Sequence, residues 1–165
     1  MIIKLKNKHT LEVDEFQFRC SIGKNGIKRK KIEGDLSTPR GIFKFKEVFY
    51  RPDRVSLKKS NIKSKKITKN MGWCDDVKSK KSYNKIIKIK KKKVHYEKLF
   101  RKDYKYDFLI PINYNTKKPI IGKGSAIFIH LTKKFKPTLG CVALKKKDFL
   151  ILLKLINKNT KIKLN

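Results

Sequence analysis

Cysteine is scarce and scattered in this 165-residue chain. Cys20, Cys74 and Cys141 stand far apart, no C-x-x-C pair occurs, and no histidine lies near them at zinc-ligand spacing. That argues against a disulfide framework and against a structural zinc site, and neither a metal nor a cofactor is expected. Long apolar runs are missing too, so no stretch approaches the length of a membrane span. The segment Met1 to Lys6 lacks the apolar core and small-residue cleavage site of a signal peptide and alternates as a strand would. The chain is therefore expected to be soluble, with no visible export address.

Acidic residues are few, 13 against 46 lysines and arginines, which leaves a formal net charge of +33. Such a field attracts polyanions, because cations neutralise phosphates and release counterions. Arginine is scarce as well, at six positions: 19, 29, 40, 51, 54 and 101. Base-edge readout leans on arginine, and single-strand binding leans on aromatics set along a basic groove. Neither a helix-turn-helix pattern nor an RNP-like aromatic motif is present. The charge thus predicts non-specific attraction to anionic polymers, those of the cell envelope included, and no specific nucleic-acid site. Lysine, isoleucine and asparagine are the residues A/T-rich codons favour, so codon bias laid over solvated surface stands as the alternative to a functional reading of the charge. By size the whole chain, residues 1–165, is expected to be one domain able to bury a core without staples.

What is present is mostly short strands divided by Gly, Pro, Asn and Asp. Residues 1 to 6 and 11 to 20 read as a first hairpin, and Ile27 to Ile32 as a strand after the Gly23 to Gly26 turn. A loop from Glu33 to Gly41 feeds the alternating strand Ile42 to Val48. Residues 56 to 70, rich in Lys, Ser and Asn, read as a polar loop or edge strand, where lysine discourages unwanted pairing. Residues 86 to 94 alternate Ile and Lys ahead of the run Lys90 to Lys93, whereas Asp107 to Ile112 and Ser125 to Leu131 are apolar enough for buried strands. Only Lys145 to Asn157 has helical periodicity, with Phe149, Leu150, Leu153 and Ile156 on one face. A last strand covers Lys161 to Leu164.

Two residues stand out chemically. His130 ends an apolar strand, and Cys141 follows a glycine after a short lysine-rich loop, which is the arrangement a thiol nucleophile with an imidazole base requires. The remaining candidates have plainer roles by default. Cys20 reads as a small buried hydrophobe and Cys74, between Trp73 and Asp75, as structural. Asp75-Asp76 reads as a turn or cap, His95 as an exposed loop residue, and Trp73 and Tyr114 as core or rim aromatics. Thr38-Pro39-Arg40-Gly41 is a turn in its own right and needs no catalytic role.

Taken together, Ser37-Thr38-Pro39-Arg40-Gly41-Ile42-Phe43, the strand ending Ile129-His130 and Thr138-Leu139-Gly140-Cys141 resemble the YkuD-type L,D-transpeptidase catalytic domain. The elements Gly34-Asp35, Tyr50 to Arg54, Gly72 to Asp76, Tyr83-Asn84 and Gly124 to Phe128 extend the resemblance over roughly residues 19 to 164, toward one branch of that family. It implies a mainly β fold, a β-sandwich with a helix near the C-terminus. It also implies cysteine-dependent acyl transfer on peptidoglycan stem peptides in the cell envelope or periplasm. A tetrapeptide would be cut between its L and D centres through a thioester and passed to an amine; water as acceptor would make the reaction an L,D-carboxypeptidase. The rival from another class is a non-enzymatic basic protein that binds nucleic acid or an anionic wall polymer. Without a visible signal sequence, action in the cytoplasm stays open.

Carried over residue by residue, the resemblance makes Cys141 the nucleophile and His130 the general base, with the Leu131 carbonyl orienting the imidazole. Backbone N–H groups of Leu139, Gly140 and Cys141 would hold the oxyanion. Apart from the resemblance, His95 is the reserve candidate for substrate contact, and Tyr114 and Trp73 are secondary ones beside their default core or rim reading. The chain departs from many relatives in having Leu139 where they have a second His, Ala143 where they have Arg or Asn, and only ten residues between His130 and Cys141.

Overall fold

The computed structural model describes residues 1–29, 32–57, 60–89 and 94–165. The expected lysine run at 90–93, like positions 30–31 and 58–59 of the predicted strand and polar segment, lies outside the described residues. At the N-terminus β1 (Ile2–Asn7), β2 (Thr10–Val13) and β3 (Phe16–Ser21) form an antiparallel meander. Strand side chains alternate between faces, so Ile3, Leu5, Leu11, Val13, Phe18 and Cys20 all fall inward and are buried. The single strand expected over 11 to 20 is two, because Asp14 takes a left-handed turn (φ 49°), a conformation Asp tolerates.

The strand expected over 27 to 32 is cut to β4 (Ile27–Lys28), which pairs in parallel with β5 (Thr38–Pro39). The supposed free-standing turn at Thr38 is therefore a tethered strand. Next come β6 (Gly41–Lys44), β7 (Val48–Tyr50) and β8 (Ser64–Lys66), the last an exposed lysine-bearing edge, as the polar segment predicts. They are followed by β9 (Met71–Cys74), β10 (Lys85–Lys88), β11 (Tyr96–Lys98), β12 (Phe108–Pro111), β13 (Phe128–Leu131) and β14 (Val142–Leu144). The helix α1 (Lys146–Leu155) and β15 (Lys161–Leu164) complete the chain. Asp148 in the first turn of α1 and Lys154 in its last complement the helix dipole.

Ten strands form one sheet in the order β6-β15-β1-β2-β3-β14-β13-β12-β7-β8. It curls until Phe45, just past β6, bridges Ile112, just past β12, and Lys46 N–H donates to Pro111 O at 3.0 Å. Inside the curl the apolar faces meet α1, whose Phe149, Leu152 and Leu153 are buried among them. Burying each such side chain contributes about 1.5–3 kcal/mol, which is what holds a ten-residue helix too short to persist alone. A second layer, the three-stranded sheet β10-β9-β11, covers the other face of the β12–β13 region over Phe49, Trp73, Leu99, Tyr106, Leu109 and Phe128. The fold is mainly β with one helix near the C-terminus among the described residues, as expected.

This layering positions the site. β13 and β14 run parallel, with Ile129 opposite Val142, His130 opposite Ala143 and Leu131 opposite Leu144. Ile129, Leu131, Val142 and Leu144 enter the inner core, so alternation sends Phe128, His130 and Ala143 to the opposite face, the side on which Cys141 packs with the second cluster.

Candidate active site

A cavity of about 910 Å³ opens on that face and is lined by His130, Cys141, Leu139, Ala143 and Thr138 among others. Cys141 sits immediately before β14, 9% exposed. Its Sγ accepts from Phe128 N–H and donates to Ala126 O, each at 3.3 Å. Ala126 offers that carbonyl from a left-handed kink (φ 52°), which is why the strand expected from Ser125 starts only at Phe128.

The loop ahead of Cys141 is pinned at three points. Thr138 N–H donates to Ile22 O at 2.8 Å, and Lys24 N–H donates to Thr138 O at 2.9 Å, so the loop adds to the end of β3. Thr138 Oγ1 donates to Cys141 O at 2.6 Å and accepts Gly140 N–H at 3.1 Å. Gly140 takes φ 140°, a conformation an L side chain strains to adopt. Thr38 Oγ1 donates to Gly140 O at 2.9 Å from a residue 102 positions away. Of the three N–H groups proposed for the oxyanion, that of Gly140 is thus already directed at Thr138. Leu139 is 76% exposed on the cavity wall, contributing an apolar surface and no side-chain donor.

His130 is 7% exposed, and its Nδ1 lies 3.0 Å from Leu131 O. A carbonyl only accepts, so Nδ1 carries the proton and Nε2 keeps its lone pair. Burial pushes the imidazole down to about 4, against the raising effect of the Leu131 carbonyl, and nearby Lys105 and Arg101 push the same way. The ring is therefore neutral near pH 7, as a general base must be before it acts. Tyr106 packs edge-on against it, and the phenol donates to Glu97, itself raised by burial.

The other sequence candidates are dispersed. His95 stands on the cavity rim with Nδ1 2.6 Å from Asp75 Oδ1, while Asp76 accepts from Lys78 N–H and His95 N–H as a turn residue. That Asp75 carboxylate raises the His95 imidazole. Trp73 is 5% exposed and does not line the cavity; its indole N–H donates to Asn84 Oδ1 at 2.9 Å and its ring packs edge-on to Phe128 at 5.1 Å. Tyr114 also lies outside the cavity lining, with its hydroxyl donated to Lys123 O and its ring against Phe43. Burial pushes the Cys20 thiol up to about 12 and leaves it inert, and Cys74 is buried as well. Among the described residues no group of three or more His, Cys, Asp or Glu side chains could hold a metal.

Sequence reading missed the neighbours Tyr106, Glu97 and Arg101, which have no local signature, and did not foresee the contact of Thr38 with Gly140 O, from a residue 102 positions away. The family model for the L,D-transpeptidase catalytic domain, YkuD, matches residues 2–164, and no curated protein or solved structure matches the chain.

Proposed function

This chain belongs to the YkuD family of L,D-transpeptidase catalytic domains, and on that premise we propose that it is, as a single domain, a cysteine acyltransferase of peptidoglycan stem peptides. Cys141 Sγ attacks the carbonyl carbon at the L-centre of a tetrapeptide's third residue while His130 Nε2 takes the thiol proton. Backbone N–H groups at Leu139 and Cys141, with Gly140 if it lets go of Thr138, hold the negative oxygen of the tetrahedral adduct. Collapse to the thioester expels the terminal D-alanine, whose amine receives the proton from His130. An acceptor amine then attacks the thioester, His130 removes its proton, and the thiol is restored. Phe128 N–H, donating to the sulfur, is a donor suited to a sulfur that becomes negative.

The observation that carries this reading is the common cavity of His130, on β13, and Cys141, immediately before the parallel neighbour β14, with the imidazole tautomer fixed by Leu131 O. The cavity also offers both charge signs that stem peptides present. Lys105, Lys133, Lys134 and Lys136 suit carboxylates, and Glu33 and Asp75 suit an amine. The place of action that follows is the cell envelope; no helix among the described residues is long and apolar enough to cross a membrane.

Intact-mass measurement after exposure to a carbapenem tests the nucleophile. A one-to-one adduct that vanishes in Cys141→Ala is expected, and a folded wild type that stays unmodified sinks the reading. Products from a tetrapeptide, with and without an acceptor amine, then separate transfer from hydrolysis.

A further inference from the structure

We propose that Thr38 is a positioning residue for the reaction: its hydroxyl fixes the Gly140–Cys141 peptide and so aims the Cys141 N–H at the reacting oxygen. This rests on the acyl-transfer reading of Cys141. Thr38 is completely buried, and its Oγ1 accepts Gly23 N–H at 2.9 Å while donating to Gly140 O at 2.9 Å. The Gly23 N–H can only donate and the Gly140 carbonyl can only accept, so of these two partners it is the carbonyl that takes the Thr38 proton.

A trans peptide is planar, with its C=O and N–H pointing opposite ways, and no cis bond occurs in the described chain. Holding the Gly140 carbonyl into the interior therefore turns the Cys141 N–H the other way. On the far side of the same residue, Thr138 Oγ1 holds Cys141 O at 2.6 Å, so both peptides flanking the nucleophile are fixed by threonine hydroxyls. Between these two constraints Gly140 takes a positive φ of 140°, a conformation that an L side chain would strain to adopt.

Gly23 belongs to the same device. A Cβ built there would stand 2.5 Å from Leu36 O and 2.7 Å from Thr38 N, so only glycine lets the end of β3 approach closely enough to donate to the hydroxyl. Three segments distant in sequence, at residues 22–24, 38 and 138–141, are thereby locked into one unit. An N–H held in place before substrate arrives is worth most in the transition state, when the carbonyl oxygen gains charge.

The test compares two reactions of the same thiol. Acylation by a carbapenem needs an aimed oxyanion donor, whereas alkylation by iodoacetamide is a displacement at carbon and needs only the thiolate. In Thr38→Val the acylation rate constant is expected to fall 10- to 100-fold while the alkylation rate of Cys141 stays within about twofold of wild type. Thr38→Ser, which keeps the hydroxyl, is expected to recover acylation to within a few-fold. Should Thr38→Val not fold, Thr38→Ala, with room for a water in place of the methyl, gives the same comparison. Equal acylation in wild type and the hydroxyl-less variants overturns the proposal and leaves the acyl-transfer reading standing. A parallel fall in both rates also overturns it, since that marks a general loss of site structure. A wild type that iodoacetamide alkylates at Cys141 but a carbapenem never acylates overturns the underlying reading instead.

Discussion

The Tyr106 ring stands edge-on to the His130 imidazole, with centroids 5.4 Å apart and planes inclined at 69°. Tyr106 is 5% exposed, its phenol donates to Glu97, and Arg101 lies 5.1 Å over its ring. The His130 ring is thus fixed in two directions, by the Leu131 carbonyl along the strand and by an aromatic wall across it.

Separating the ring of Tyr106 from its hydroxyl should separate stability from reactivity. Tyr106→Phe leaves Glu97 without its phenol donor and should cost about 1 kcal/mol, with carbapenem acylation close to wild type. Tyr106→Ala also removes the wall against His130, and should cost about 3–5 kcal/mol and slow acylation at least tenfold. Thermal melts and acylation kinetics on the pair check this; equal acylation in both variants would rule out a role for the ring.

Acid should destabilise the fold through His130. Its pKa is about 4 folded and about 6.5 unfolded, so between those values the unfolded chain binds a proton that the folded chain refuses. Stability contributed by the neutral ring is therefore complete above pH 6.5 and lost as pH falls toward 4, by about 3 kcal/mol in all. Arg101 and Lys105 oppose protonation further, and Asp103 works the other way. Glu97, whose carboxyl is raised, has the opposite pH dependence, so the quantity to measure is the stability of wild type minus that of His130→Gln in urea from pH 7 to pH 4. That difference should shrink on acidification.

Arg51 should prove to be a structural clamp that lysine cannot replace. Its guanidinium is 3% exposed, forks onto Asp53 at 2.9 and 2.7 Å, donates to Arg101 O at 2.6 Å and lies 3.4 Å over the Phe100 ring. This secures the loop that carries Arg101, Tyr104, Lys105 and Tyr106 to the cavity. Arg51→Lys loses the fork and the stacking and should lower stability by about 2 kcal/mol, a fall in melting temperature of about 4–8 °C. Calorimetry of the single variant is sufficient.

Trp73 should affect stability and leave substrate dependence alone. Trp73→Phe removes the indole donor to Asn84, whose Oδ1 also accepts Ala126 N–H at 3.1 Å, and should cost about 1–3 kcal/mol. KM for a tetrapeptide should stay within about twofold; a large rise would return Trp73 to the substrate surface.

The helix and the last strand were legible because their periodicity is local: Phe149 and Leu153 repeat at helical spacing, and Lys161 to Leu164 alternate. Strand ends were less legible, since left-handed kinks at Asp14 and Ala126 carry no pattern of their own. Trp73 and Tyr114 could not be assigned to core or cavity from composition, because an aromatic serves either and only the surrounding sheets decide. Tyr106 left no trace in the sequence as a neighbour of His130, being 24 positions away and brought there by a loop clamped at Arg51.

The sequence by itself determined the chemistry on offer, a lone thiol after glycine and a histidine on an apolar strand, and the alternation that turns Ile129 and Leu131 inward while His130 faces the other way. Tertiary structure alone decided that those two side chains share a cavity, that the imidazole is buried and neutral, and that a hydroxyl at Thr38 holds Gly140. The physical reason is range: side-chain alternation acts between neighbours, whereas burial and the direction of a peptide N–H are fixed by groups that meet only after the sheet has curled.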